Sequence, residues 1–313
     1  MKHELLQYLR CPACVTPLTL SVAEEEHGEV KTGILTCEKG GHLYKISRFV
    51  PRFVDADKYA DSFSRQRLYV RRHFEHYRVD KSGDAQFFPT TGFSPEGIKQ
   101  GLLLEIGSGY GRFVDVVERA GGRIVGVDLS THSIDLAHDF VGLRKNVFLI
   151  QADLFALPFE RKTFQHVFSI GVLHHTPSTA DAFAAVVPYV RPGGQVSIWV
   201  YHPAQKRSTD VWRHLTARMP HRVLYGFCIA NQVLFSWIRA LPGVGWRFSR
   251  IIPGGDPRPG RPFWLRVLGD FDNYSPTYAH VHKPDEVISW FERAGLKDVK
   301  ALSRQTAVTG RGV

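Results

Sequence analysis

The sequence predicts an α/β protein built around a doubly wound, parallel sheet. Three observations lead there. Between positions 101 and 200 short apolar runs alternate with helical segments, and strands alternating with helices cover both faces of a parallel sheet. The first run, LLLEI at 102–106, ends in the glycine-rich turn Glu105-Ile106-Gly107-Ser108-Gly109-Tyr110-Gly111, which opens a helix. The 313 residues are 43% hydrophobic and 22% charged, which excludes disorder, collagen and coiled coil as the main state.

The chain divides into five stretches. Residues 1–55 hold short alternating runs at 18–22 and 43–46 and a Gly-Gly at 40–41, and form a small β-rich module. Residues 56–100 are polar and aromatic, a helical lid or linker with a helix over 59–77 and a second helix start at Ser94-Pro95-Glu96. The core, 101–201, has strands at 102–106, 123–128, 147–152, 164–170 and 195–200. Its helices are expected at 112–119, after the cap Ser130, and at 179–187. Over 202–275 the alternation stops in a mostly helical insertion rich in Arg, Pro and aromatics. The last part, 276–313, resumes with a helix at 285–294 opened by Pro284 and two runs at 297–302 and 307–310.

Forty Lys+Arg against thirty Asp+Glu give a net charge of +10. Residues 202–266 carry eleven basic and two acidic residues, so nearly all of the excess lies in the insertion. Such a segment suits phosphate on a phosphorylated or nucleotide-linked acceptor, or an anionic membrane surface, and it lacks an RNA-binding signature. Ten of the eleven are arginines, Arg218 and Arg222 among them, and guanidinium pairs bidentately with phosphate. The alternative is a solvated basic face. The most apolar window, 223–241, is interrupted by Asn231, Gln232 and Arg239 and is too short to span a bilayer, although it suits an acceptor pocket or contact with lipid. The N-terminus lacks the apolar stretch of a secretory signal, so the expected location is cytoplasmic.

Four cysteines are too few for a disulfide scaffold in a chain of this length. Cys11 and Cys14 form a Cys-x-x-Cys pair, followed by Cys37 and His42, and three cysteines with one histidine are an accepted structural zinc set. The stretch CPAC…C…GGHLYKISRFVPRFV resembles the zinc-ribbon activators of tRNA methyltransferases and the zinc module of ribosomal-RNA guanine methyltransferases. Gly40 stands where that pattern has its fourth cysteine. A metal-free relic of the ribbon is the alternative.

Glycines in the turn after 106 let the backbone turn sharply and approach a ligand closely. Asp128 ends the next strand 21 residues after Gly107, where a carboxylate can take the ribose hydroxyls of an adenosine cofactor. A dinucleotide site wants Gly-x-Gly-x-x-Gly, but the third glycine falls one place early, at Gly111. Six segments in register, namely the glycine turn, Gln151-Ala152-Asp153-Leu154, LPF at 157–159, FQHV at 164–167, GVLHH at 171–175 and VRPGG at 190–194, resemble the class I S-adenosylmethionine-dependent methyltransferases. The resemblance implies a Rossmann-like, mostly parallel sheet with an antiparallel last strand. It implies that Gly107 and Gly109, with Ser108 and Gly111, approach the methionine part of S-adenosylmethionine, with Glu105 at the family's acidic position. It also places Asp128 on the ribose, Leu129 under the adenine, Asp153 on the adenine edge, and Leu154 and Ile170 nearby.

Strand ends carry ligands in such sheets, and here they present His174 and His175 after the fourth strand and Tyr201 and His202 after the fifth. Histidine is the best-placed base near neutral pH. The run DFDNYSPTYAHVH at 270–282 offers Tyr274, Tyr278 and His280 as acceptor contacts, with Arg218 and Arg222 for an anionic acceptor. No NPPY or DPPY motif and no strand-end cysteine is present, which disfavours methylation of adenine amines or of pyrimidine C5. The leading expectation is methylation of a small molecule, on oxygen. An RNA methyltransferase is the second reading, and a catalytically silent cofactor-binding or zinc scaffold the third.

Overall fold

The computed structural model describes residues 1–54, 82–203, 212–213, 215–216, 218–249, 251–252, 254, 262–302 and 306–313. The helix expected over 59–77 lies outside them. The strands are β1 (Thr19–Glu26), β2 (Glu29–Thr36), β3 (Leu43–Ser47), β4 (Val50–Arg52), β5 (Leu102–Ile106), β6 (Arg123–Asp128), β7 (Val147–Gln151), β8 (Phe164–Ile170), β9 (Val190–Val200), β10 (Lys297–Ala301) and β11 (Thr306–Arg311). The helices are α1 (Ser82–Thr91), α2 (Arg112–Arg119), α3 (Thr131–Ala137), α4 (Thr179–Val186), α5 (His221–Arg239), α6 (Gly245–Ser249), α7 (Phe263–Tyr274) and α8 (Pro284–Arg293).

All strands join one sheet in the order β1-β2-β3-β4-β7-β6-β5-β8-β9-β11-β10. From β7 to β9 the pairs are parallel, and β11 runs antiparallel to β9, as the sequence led us to expect. Strands β5 and β7 are buried along their whole length, which fits central strands covered on both faces. Alternate residues point to opposite sides. Leu102, Leu104 and Ile106 join a core with Phe183 of α4 and Phe291 of α8, while Leu103 packs with Phe87, Phe113 and Ile134 of α1, α2 and α3.

Local chemistry sets the helix ends. Ser130 Oγ accepts from the Ser133 amide at 3.1 Å and caps α3. Gly111 precedes α2 at φ 88°, a left-handed conformation that favours glycine. Pro284 occupies the first turn of α8 with Asp285 and Glu286. The start foreseen at Ser94 yields a short 3-10 turn, Gly97–Lys99, because the chain enters β5 three residues later. Strand β9 begins at Val190 rather than 195, through a register shift against β8.

The N-terminal module does not sit apart. Its antiparallel strands β1–β4 extend the sheet, with β4 meeting β7 in parallel at Arg52 and Gln151. Leu5, Leu9, Leu18 and Leu35 share one buried cluster with the central strands. Among the described residues no helix is long and apolar enough to cross a membrane.

Candidate active site and metal cluster

A cleft opens at the carboxyl ends of β5, β6 and β8, where open α/β sheets bind ligands. Gly107, Gly109, Asp128, Leu129, Leu154, His175 and Tyr201 line it. Gly107 sits at φ 76° and Gly109 at φ 57°. A Cβ on Gly107 would fall 2.4 Å from a Val172 methyl carbon, so position 107 needs glycine for backbone and space alike. The Gly107 and Ser108 amides donate to the Val127 carbonyl and fold the turn over the end of β6.

Asp128 locks this arrangement. Its Oδ2 accepts from the Gly109 amide at 2.8 Å and its Oδ1 from the Ser130 amide at 2.8 Å. The carboxylate thus ties the glycine turn to the start of α3 while facing the cleft. Gln151 steadies the same loop by donating to the Leu129 carbonyl and the Thr131 hydroxyl, both at 2.9 Å. Arg52 of the N-terminal module donates to Gln151 Oε1 at 3.1 Å and to Asp135 at 2.6 Å.

The structure separates the two neighbouring histidines. His175 lines the cleft and its Nδ1 lies 2.7 Å from the Tyr278 carbonyl. A carbonyl accepts only, so Nδ1 carries the proton and Nε2 is the ring's accepting nitrogen. His174 is fully buried, with its ring 3.8 Å from that of Tyr201, and does not line the cleft. Burial and the nearby Asp272 carboxylate push the Tyr201 phenol pKa upward against the opposing effect of Arg213, which keeps the phenol protonated. His202 is half-buried and outside the lining.

Residues 104–198 match the family model described as methyltransferase domain. The core of the chain is thus similar to a methyltransferase domain over those residues. A sterol 24-C-methyltransferase of Schizosaccharomyces pombe is 24% identical over 123 residues, 38% of this chain and 32% of the relative. A tRNA U34 carboxymethyltransferase of Cellvibrio japonicus is 30% identical over 191 residues, 60% of this chain and 57% of the relative. Among solved structures, a Haemonchus contortus phosphoethanolamine N-methyltransferase 2 in complex with S-adenosyl-L-methionine is 16% identical, with a TM-score of 0.43, over 82% of this chain and 48% of that one. The chain spans about a third of the length of the first curated relatives it matches.

Other residues expected at the cofactor site are not themselves in the cleft wall. Glu105, Ser108 and Ile170 are buried and Gly111 sits at the start of α2, none of them on the cleft wall. Asp153 is buried between two lining residues, Ala152 and Leu154, and its Oδ1 accepts from the Phe155 amide at 3.1 Å. The acceptor contacts need correction. Tyr274 is fully buried in the insertion's own core with Leu224, Cys228 and Phe271. Arg218 and Arg222 are exposed and off the cleft wall. Tyr278 and His280 form a strap instead. The Tyr278 carbonyl holds His175, His280 Nε2 donates to the Thr176 carbonyl at 3.1 Å, and the His280 amide donates to the His174 carbonyl at 2.9 Å.

Sequence reasoning passed over Asp272 as a site residue, although α7 places it in the cleft wall. The signal was there in the pair Asp270 and Asp272, since residues two apart on a helix face different ways. Asp270 is buried inward, accepting from Asn231 and Gln232 at 2.8 Å each, which leaves Asp272 on another face.

The second constellation is Cys11, Cys14, Cys37 and His42, whose ligand atoms all lie within 4.8 Å of one another. His42 Nδ1 is 3.5 Å from Cys11 Sγ and 3.6 Å from Cys14 Sγ. A Cβ on Gly40 would lie 2.6 Å from His42 Nδ1 and 2.7 Å from Cys14 Sγ. A side chain at 40 would therefore displace His42 or Cys14 from its present place. Without a cation the sulfurs do not titrate alike. Burial and the neighbouring Cys37 and Cys11 push Cys14 up to about 11, and hydrogen bonds from Thr16 and His42 pull Cys37 down to about 6. Three thiols and an imidazole at this spacing fit a tetrahedral zinc.

Proposed function

We propose that this protein is an S-adenosylmethionine-dependent methyltransferase that methylates a small-molecule acceptor, on oxygen. The observation that carries the reading is the meeting of Gly107, Gly109 and Asp128 with His175, Tyr201 and Asp272 on one cleft. Gly107 and Gly109 leave room for the methionine part. An ionised carboxylate offers about four acceptor sites, enough for Asp128 to hold both amides and a ribose hydroxyl. Leu129 and Leu154 flank the adenine, with Asp153 at its edge. When bound, the cofactor supplies a methyl group on a sulfonium sulfur, a good leaving group whose displacement depends on alignment.

The acceptor side is the work of the chain's own residues. His175, its Nδ1–H held by the Tyr278 carbonyl, takes the acceptor's hydroxyl proton at Nε2. The Tyr201 phenol, kept protonated, donates a hydrogen bond to the acceptor, and the Asp272 carboxylate accepts one. The strap of Tyr278 and His280 fixes the loop that carries His175. The N-terminal cluster holds one structural zinc through Cys11, Cys14, Cys37 and His42, a closed shell with no open position for chemistry.

Labelled methyl donor separates this reading from the RNA alternative. Purified protein is incubated with the small-molecule fraction of a cell extract and, separately, with total RNA. The proposal expects label in the small-molecule fraction, with His175→Ala about 10²–10⁴-fold slower, the range for a general base, while still binding the demethylated cofactor. Label in RNA alone, or full turnover by the variant, would refute it.

A further inference from the structure

The insertion contains a helix that leaves an apolar stripe exposed. On α5, Val223, Val233, Leu234 and Trp237 are 57%, 60%, 56% and 62% exposed. Their spacing places them on one stripe, continued by the exposed Gly226 and Ala230 and, past the helix end, by Leu241 and Val244. The opposite side is buried and mixed: Leu224 and Cys228 lie there with Asn231, Gln232 and Arg239, which are 2%, 1% and 5% exposed. A surface helix of a globular protein normally turns its apolar stripe to the core.

The buried polar residues pin the orientation. Asn231 and Gln232 each donate to Asp270 Oδ2 at 2.8 Å, and Arg239 donates to Asn231 Oδ1 at 2.6 Å. Rotating α5 to hide its apolar stripe would break all three contacts in a water-poor interior, where unmade hydrogen bonds are costly. The stripe therefore faces outward as a fixed property of the fold, and contiguous exposed apolar surface marks an interaction site.

Charge selects the partner. Arg218 just before α5, Arg222 in its first turn and Arg247 in α6 are exposed, and from 212 to 266 the sequence has nine arginines and one acidic residue, Asp256. An outward apolar face with a tryptophan, flanked by arginines and nearly free of carboxylates, matches a helix lying in the interface of an anionic membrane. We infer that the insertion docks on an anionic lipid surface through this face of α5. Helix α5 packs on α7 through Leu224, Cys228, Val267 and Phe271, and α7 carries Asp272 into the cleft wall, so the docked surface lies one helix away from the cleft. The inference stands on the insertion alone, independent of the reaction proposed above.

Co-sedimentation of the full chain with vesicles tests it, comparing phosphatidylcholine alone with a phosphatidylcholine–phosphatidylglycerol mixture. The wild type should bind the anionic vesicles at least about tenfold more strongly, and the double variant Leu234→Ser/Trp237→Ser should lose about tenfold of that binding at an unchanged melting temperature. Should that variant misfold, Arg218→Glu/Arg222→Glu, at exposed positions, reads the electrostatic part and should show a similar loss. Absence of vesicle binding by the wild type, or equal binding by folded variants, overturns the inference. A dimer in solution that Leu234→Ser/Trp237→Ser dissolves also overturns it, by assigning the face to a second copy of the chain.

Discussion

Glu105 lies in the middle of β5, fully buried, with Oε2 meeting no hydrogen-bond donor. Burial raises its pKa well above the ordinary 4.5, against the opposing pull of Arg112. The folded chain therefore keeps a proton that the unfolded chain has already released. Stability from this group is complete below the ordinary value and is lost as pH rises through the folded pKa. The melting temperature of the wild type should fall over that window, and Glu105→Gln, neutral at every pH, should flatten the fall. Parallel profiles for the two proteins would show that Glu105 is not the group responsible. Asp128 contrasts with it: two backbone amides hold its carboxylate beside the cleft, so the residue shapes the glycine turn and presents charge at once. Gly107 matters in a third way, because the Val172 side chain already fills the space any larger residue would need.

Elements differ in how plainly the sequence announced them. Strands β5 and β6 were legible because buried parallel strands read as unbroken apolar runs between turns. In β1 only the alternating start at 18–22 was legible, because the rest of the strand, the acidic run to Glu26, is exposed and lacks an apolar face. Helix α1 was missed because a polar segment with Pro89 inside it carries no helical period. The glycine turn and Asp128 were readable from spacing. The roles of Tyr274, Tyr278 and His280 were not, because they depend on which of those groups face the insertion core and which the loop at 173–176. The set Cys11, Cys14, Cys37 and His42 was legible from spacing, and the structure gathers its ligand atoms within 4.8 Å of one another. His42→Ala should lose zinc, measured by elemental analysis of protein purified without chelator. Gly40→Cys should lower the melting temperature, since the new Cβ meets His42 and Cys14. Full zinc retention by His42→Ala would remove the histidine from the ligand set.

At the scale of the molecule, one sheet runs from the N-terminal module through the parallel core strands to β10. The join at β4 and β7 carries a chain of contacts from Arg52 through Gln151 to the loop at Leu129 and Thr131, so the module braces the loop next to Asp128. On the other side, α5 and α7 present Asp272 to the cleft and an apolar stripe to the outside. These parts converge on one claim, that the cleft beside Gly107, Asp128 and His175 holds S-adenosylmethionine. Titration calorimetry with S-adenosylmethionine, its demethylated product and a nicotinamide dinucleotide tests this most directly, on the wild type and on Asp128→Asn. The account predicts one site per chain for the first two ligands and none for the dinucleotide, with binding weakened by about 1–3 kcal/mol in the variant. Binding of the dinucleotide instead, or an unchanged affinity in a folded Asp128→Asn protein, would contradict it.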